Sequence, residues 1–293
     1  MKKFIIAGRT LSELEIFMIE NGQSKFRAKQ LYNWIYLKSV NSYDKMTDLP
    51  IQTKELLSNK TQICDVKLKE TQMSKDGTIK FLFELADGNY VESVLMRFDN
   101  RANLTACISS QVGCPMGCSF CATAKLGFVR NLTKEEIISQ VFLIQAHTGL
   151  KVTNIVYMGQ GEPLLNFQAL LDSIKIFREQ FQVGSRRITV STCGIIPKIE
   201  ELAKLNFQST LAISLHAPDD EIRKQIMPVA KKYPFERLIK TLKKYTETTG
   251  RRVTVEYVLI KGINDSAENA KKLALEISGL KSNVNLIIFN QHE

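Results

Sequence analysis

Alternating strand-like and helix-like segments from about residue 104 to the last residues predict an α/β protein. The expected architecture is a partial (β/α)6 TIM-like barrel preceded by a helical lobe and a β-hairpin extension. Three observations carry this. The first forty or so residues place apolar side chains at helical spacing, residues 63–96 switch to a period of two, and six strand candidates then alternate with helices. Six parallel β/α steps also suit an open doubly wound sheet. A six-stranded partial barrel leaves one side open to a large substrate and gathers reactive groups at the C-terminal ends of its strands.

The elements follow in order. Ser12 to Met18 opens a helix, and Ala28 to Tyr36 continues the pattern, so residues 1–60 are expected to form a helical accessory domain that binds RNA. Lys25, Arg27, Lys29 and Lys38 decorate it, with Phe26, Tyr32, Trp34 and Tyr36 between them; an aromatic core stripe under a solvated basic face explains the pattern at least as well. Residues 61–100 form the hairpin extension: Val66–Lys69, Ile79–Leu85 and Tyr90–Met96 alternate, and Asp76-Gly77 and Asp87-Gly88 supply turns. Residues 101–293 hold the barrel, with strands at Leu104–Ser109, Asn154–Gly159, Arg187–Cys193, Thr210–His216, Thr254–Ile260 and Val284–Asn290. Thr133 with Glu136 forms a capping box, Asn166 precedes a helical run, Pro197 sits in a first turn, and Asp265 or Ser266 caps the last helix.

Composition bounds the class. The chain has 293 residues, 44% of them hydrophobic, a net charge of +10 and six cysteines. Its length allows a full core, no apolar run is long enough to cross a bilayer, and Met1 to Gly8 is no signal segment. The expectation is a reducing, cytoplasmic protein without disulfides or a membrane partner. The excess of lysine and arginine favours a polyanionic partner, because each neutralised phosphate releases counterions.

Cys114, Cys118 and Cys121 stand in one short loop as C-P-M-G-C-S-F-C. A structural zinc site wants four ligands, and the nearest candidates, Cys107 and His147, lie at unsuitable distances. Three thiolates leave one corner of an iron–sulfur cluster open for a ligand that turns over. The spacing C-x3-C-x2-C resembles that of the radical S-adenosylmethionine (SAM) enzymes, which implies a radical SAM barrel, a [4Fe-4S] cluster held by these three residues, and S-adenosyl-L-methionine as cosubstrate. One β/α unit later, Met158-Gly159-Gln160-Gly161-Glu162-Pro163 resembles the GGEP-type motif, with Gly161 and Glu162 the counterparts of residues that bind the SAM amino group. Ser191, then Ser214-Leu215-His216, then Asn290 complete the expected cofactor pocket at the strand ends. Cys193 and Cys64 read as packing.

Longer stretches narrow the resemblance. Ser109 to Cys114, Cys121 to Ala124, Gly127 to Leu132, Met158 to Asn166 and Ser214 to Pro218 resemble the RlmN/Cfr family of radical SAM RNA methyltransferases, over about Leu11 to Asn290. Glu162 to Asn166 and Phe26 to Gln30 are closer to the RlmN branch, which methylates C2 of adenine, than to the Cfr branch, which acts on C8. The resemblance implies 23S rRNA and tRNA as substrates, an electron donor such as flavodoxin or ferredoxin, and a monomer. It implies a methyl group first placed on a cysteine, a hydrogen removed from it by the 5′-deoxyadenosyl radical, addition to C2, and a protein–RNA crosslink. Cys107 matches the residue that resolves the crosslink and Glu92 the proton acceptor. The family's methyl-carrying cysteine belongs to a loop after the final helix, and this chain stops at Glu293. The expectation is that this chain alone binds cluster and SAM without completing transfer, unless it is a fragment. Phosphate contacts are expected from Arg97, Arg101, Lys125, Arg130, Arg186, Arg187, Lys231 and Lys232. Two other readings remain: a radical SAM hydrogen abstractor of another class, and a non-catalytic RNA-binding remnant.

Overall fold

Local sequence signals set the elements that a computed structural model describes for residues 3–98, 101–205 and 207–290, the side chains of residues 98, 101 and 102 apart. The Arg101 side chain therefore lies outside the described residues, and no helix among those described is long and apolar enough to cross a membrane. The chain divides into two units, Met1–Ser109 with Leu132–Ile155 and Gln168–Gly184, and Ser110–Asn131 with Val156–Phe167 and Ser185–Glu293.

In the first unit, Thr10 caps the helix Leu11–Glu20 by accepting the Glu13 N–H at 3.2 Å, while its own N–H donates to the Glu13 carboxylate at 2.7 Å. The helix Lys25–Tyr32 runs on into a π-helical turn, Asn33–Leu37. There Tyr36 is buried and donates its hydroxyl to the Arg9 carbonyl at 2.6 Å, so this member of the aromatic stripe is core. Phe26 is exposed, and Lys38 stands 3.6 Å over the Trp34 ring. A third helix, Ile51–Lys60, was not singled out from the sequence. The short strands β1 (Phe4–Ile5) and β2 (Thr61–Gln62) pair in parallel and tie the two ends of this lobe together.

Strands β3 (Lys67–Met73), β4 (Ile79–Glu84), β5 (Tyr90–Phe98) and β6 (Arg101–Cys107) form an antiparallel meander, as the period-two pattern and the Asp-Gly turns require. Phe81, Phe83, Val91 and Leu95 are buried on it. The helix Lys134–Thr148 starts at the expected Thr133–Glu136 box and carries the fully buried Gln140. The Gln140 amide oxygen accepts from the Ser93 hydroxyl at 2.7 Å and the Ser109 N–H at 2.8 Å, and its NH2 donates to the Ser109 carbonyl at 3.0 Å. One side chain thus closes the backbone account at the end of β6.

The second unit opens with the hairpin β7 (Gln111–Gly113) and β8 (Phe128–Asn131). Strands β9 (Asn154–Tyr157, its first two residues counted with the first unit), β10 (Ile188–Thr192), β11 (Thr210–Ser214), β12 (Val253–Leu259) and β13 (Ser282–Ile288) follow in spatial order. The pairs from β10 to β13 are parallel, each strand following a helical crossover. Val190, Leu211, Ile213, Val253 and Val255 are buried on these strands and share one face of the sheet, opposite Ser191, Ser214 and Glu256. The run ends in β13 without closing on itself among the described residues, so the barrel is partial.

Replacing Gln140 with Leu would strand the Ser109 N–H and carbonyl and the Ser93 hydroxyl. Urea denaturation should show a loss of about 3 kcal/mol, since each buried unpaired group costs on the order of 1–3 kcal/mol. A loss below about 1 kcal/mol would show that these bonds contribute little.

Candidate active site

The cysteine loop is pinned at both ends by backbone. Cys114 N–H donates to the Gly127 carbonyl at 2.8 Å, and Ser119 N–H donates to the Ile226 carbonyl at 3.0 Å. Gly113 makes the first contact possible: its φ is +71°, and a Cβ there would sit 1.9 Å from the Gly127 oxygen. Cys114, Cys118 and Cys121 all line one cavity of about 270 Å³ in the second unit, and none of the six cysteines is in a disulfide. Burial raises the Cys114 thiol to about 11 and the Cys118 thiol to about 12, values that a bound metal would reverse by taking the thiolates.

The opposite wall is built on the loop after β9. Gly161, at φ +101°, leaves room for Gln111, whose Cβ lies 2.6 Å from where a Gly161 Cβ would fall. Gln111 uses its oxygen to accept the Glu162 N–H at 2.8 Å and its amide to donate to Asn131 at 2.8 Å. Glu162 is 3% exposed and accepts the Leu164 N–H at 3.0 Å and the Cys193 N–H at 2.7 Å. Burial raises its pKa while these bonds oppose the shift. The Cys193 thiol and the Thr192 hydroxyl bond to it as well, so its roughly four lone-pair sites are met by protein donors, two of them side chains that a cationic ligand would displace.

Ser191 and Ser214, at the ends of β10 and β11, line the same cavity with their hydroxyls 3.4 Å apart. His216 lines it too, in a left-handed conformation with φ +55°. Three contacts hold it there. Val258 N–H donates to its Nδ1 at 3.0 Å, Asn264 Nδ2 donates to its carbonyl at 2.7 Å, and Phe120 meets its ring edge-on at 4.8 Å. Acceptance at Nδ1 fixes the proton on Nε2. Burial, assisted by the Arg223 charge, lowers its pKa to about 3, so the ring is neutral.

The remaining expected residues fall elsewhere. Leu215 is buried behind the cavity; its N–H donates to the Glu256 carbonyl at 3.1 Å. Asn290 is exposed, two residues past β13, and is not in the lining. Cys107 and Glu92 belong to the first unit. Val94 pairs with Cys107 across β5 and β6, so Glu92, two residues before Val94, projects from the same face as Cys107, one diagonal step away. The Glu92 carboxylate pairs with Lys80 at 3.0 Å. Arg97, Lys125, Arg186, Arg187, Lys231 and Lys232 are exposed, and Arg130 is half-buried. His147, the spare zinc candidate, packs edge-on against Phe81.

Sequence reasoning passed over three residues. Glu256, on β12, is 6% exposed in the cavity wall and takes a hydrogen bond from Asn285 at 2.7 Å. Its signal was a lone carboxylate in an apolar strand. Gln111 appeared only as part of a quoted stretch. Arg223 was not singled out from the sequence and is fully buried.

Comparison with known proteins fits this geometry. The Radical SAM superfamily model matches residues 108–274, and the model described as "Ribosomal RNA large subunit methyltransferase N-terminal domain" matches residues 6–63. A probable dual-specificity RNA methyltransferase RlmN from Clostridium novyi is 47% identical over 286 residues, covering 96% of this chain and 82% of its own. The corresponding protein of Thermotoga neapolitana is 49% identical over 272 residues, 92% of this chain and 79% of its own. The crystal structure of a radical SAM methyltransferase from Sphaerobacter thermophilus superposes with a TM-score of 0.92 at 42% identity, covering 98% of this chain and 86% of that one. The loop, the cavity and these likenesses agree, and the chain belongs to the RlmN family of radical SAM enzymes.

Proposed function

We propose that the chain carries the cluster and SAM sites of a radical SAM RNA methyltransferase that methylates C2 of adenine in 23S rRNA and tRNA by a methyl-cysteine and protein–RNA crosslink route, the methyl-carrying cysteine lying outside residues 1–293. The observation that carries this is the convergence of Cys114, Cys118 and Cys121 with Glu162 and His216 on one cavity, in a chain of this family. C2 of adenine is an electron-poor amidine carbon that cannot attack a methyl sulfonium, so the reaction needs a carbon radical. When bound, the cluster and SAM supply that radical from one electron.

The residues fit such a group. Among those described, no three His, Cys, Asp or Glu side chains converge tightly enough for a single ion, yet three thiols share one cavity. Three thiols of one loop on one cavity suit a cluster with one corner left open. Cys193 also lines the cavity, but it stands after β10, outside the C-x3-C-x2-C loop, and its thiol bonds to the Glu162 carboxylate. Cys114, Cys118 and Cys121 are therefore the ligands of the [4Fe-4S] cluster. Gly161 lets the backbone approach SAM, and the buried Glu162 accepts its ammonium group. Ser191 and Ser214 offer hydroxyls to the ribose and carboxylate. Neutral His216 offers Nε2–H; Leu215, its N–H and carbonyl held by Glu256 and Arg223, backs the pocket, and Asn290, beyond the lining, is the proposed partner of the adenine edge.

Cys107 resolves the crosslink, and Glu92, on the same sheet face and paired with Lys80 at 3.0 Å, takes the C2 proton. Residues 1–60 contact the RNA together with the exposed arginines and lysines, residues 61–100 present Glu92, and residues 101–293 hold the cofactors. The protein works as a cytoplasmic monomer, with no membrane partner, reduced by a flavodoxin- or ferredoxin-type donor.

Anaerobic reconstitution should give about four irons per chain by the cluster stoichiometry. Cys118→Ala should lose the brown chromophore and SAM cleavage; an unaltered spectrum would count against the ligand assignment. His216 supplies a second test. Its folded pKa, about 3, is depressed from 6.5, so the unfolded chain takes up a proton in that window and the folded chain does not. Stability should therefore fall as pH drops below about 6.5. His216→Gln should remove about 2 kcal/mol of the loss between pH 6.5 and 5, at roughly 1.4 kcal/mol per unit. Identical acid limbs for the two proteins would refute the neutral-histidine assignment.

A further inference from the structure

Arg223 is the bulkiest fully buried side chain among the described residues. Its guanidinium donates from Nε to the Leu215 carbonyl at 3.3 Å, from Nη1 to the Tyr233 carbonyl at 3.2 Å and from Nη2 to the Cys193 carbonyl at 2.7 Å. These give each of its three nitrogens a partner, using three of five N–H donors, but supply no counter-charge. Among the described residues, no carboxylate stands within ion-pair distance of it. Asp220 acts on it only through space; one of its oxygens accepts the Phe235 N–H at 3.0 Å and the other lies 3.9 Å from Lys224 Nζ. A guanidinium stays charged wherever it is buried, and an uncompensated buried charge is costly.

The place of that charge explains why the fold keeps it. The helix Asp220–Ile226 carries Arg223, and its last carbonyl accepts the Ser119 N–H, the residue next to Cys118. Cys193, whose carbonyl Arg223 holds, gives its N–H to Glu162 in the cavity wall. Arg223 therefore bonds to the backbone of the Cys193 wall while the end of its helix bonds to the cysteine loop, and its charge acts on the sulfurs of Cys118 and Cys193. Three thiolates outweigh the positive charge of an iron–sulfur core, and an incoming electron adds a further negative charge. A fixed cation in a water-poor site stabilises the more negative state more.

We propose that Arg223 is the built-in counter-charge of the iron–sulfur cluster, a positioning residue whose buried cation raises the cluster's reduction potential and makes it easier to load with an electron. The inference rests on the assignment of Cys114, Cys118 and Cys121 as ligands. Reduction is the addition of one electron to the oxidised cluster, taken from the external one-electron donor; no bond of Arg223 forms or breaks and its proton stays in place.

The test is a mediator titration of the anaerobically reconstituted full chain without SAM, with the reduced cluster read by electron paramagnetic resonance and iron counted in each sample. Arg223→Gln keeps hydrogen-bond donors without charge and should lower the reduced-to-oxidised ratio at fixed potential at least tenfold, about 59 mV for a one-electron couple. Arg223→Lys keeps the charge without the planar fork and should recover most of that shift, even where thermal stability falls in both variants. Asp220→Asn removes the nearby opposing charge, keeps an acceptor for the Phe235 N–H, and should move the potential the other way. A fully loaded Arg223→Gln protein with the parental midpoint overturns the proposal and leaves Arg223 as a packing element. If that variant assembles no cluster, Asp220→Asn decides: an upward shift supports the proposal and an unmoved midpoint overturns it. Absence of iron from the parental chain would instead sink the ligand assignment, and this inference with it.

Discussion

Three thiols on one short loop must face a common space without bonding to each other or collapsing into the core, and the rest of the site is arranged around that constraint. The loop cannot meet it alone. Its first cysteine is tied by backbone to Gly127, and the residue after its second is tied to Ile226. The closeness of β7 to β8 at Gly113 leaves no space for any side chain. The cysteines are held by hydrogen bonds that bypass their side chains, which leaves sulfur available for chemistry.

Behind this wall the polar groups form a closed account. Gln111 binds the Glu162 N–H, Glu162 binds the Cys193 N–H, and Arg223 binds the Cys193 carbonyl. Each link is buried, so removing any one leaves the next unpaired in a medium where unpaired groups are expensive. The same chain places a carboxylate in one wall and a guanidinium behind it without letting them meet as an ion pair. A pair in direct contact would neutralise itself; kept apart, each charge is left for a ligand of opposite sign. His216 is handled differently. Burial and the Arg223 field hold its ring neutral, and Asn264 keeps its backbone in a conformation that costs energy.

Much of this was legible in the sequence because it depends on local signals. The period-two strands, the Asp-Gly turns, the Thr133–Glu136 box and the Ser266 cap appear where the pattern places them. Strand ends were read generously: β9 stops at Tyr157 and β11 at Ser214, because the residues beyond turn away to line the cavity. The cysteine loop and Gly161-Glu162 were legible because their chemistry needs particular residue types at a particular spacing. Tertiary contacts hid the rest. Arg223 sits in Asp-Asp-Glu-Ile-Arg-Lys, a run that reads as solvated, and only the approach of Cys193, Leu215 and Tyr233 buries it. Ile51–Lys60 begins after Pro50 with no side-chain cap and was missed for that reason. Leu215, one residue past β11, was expected in the pocket with its neighbours, but it is buried outside the lining that Ser214 and His216 share, its N–H and carbonyl held by Glu256 and Arg223.

The proposed assignment of Cys114, Cys118 and Cys121 to one iron each leaves a fourth iron for SAM, and that iron should be chemically different from its companions. Mössbauer spectroscopy of the iron-57 reconstituted protein, recorded with and without SAM, examines that directly. About one quarter of the absorption, the share of a single iron in a four-iron cluster, should shift to the parameters of a site with added nitrogen and oxygen ligands when SAM binds. A spectrum in which all irons remain equivalent and unchanged by SAM would contradict it.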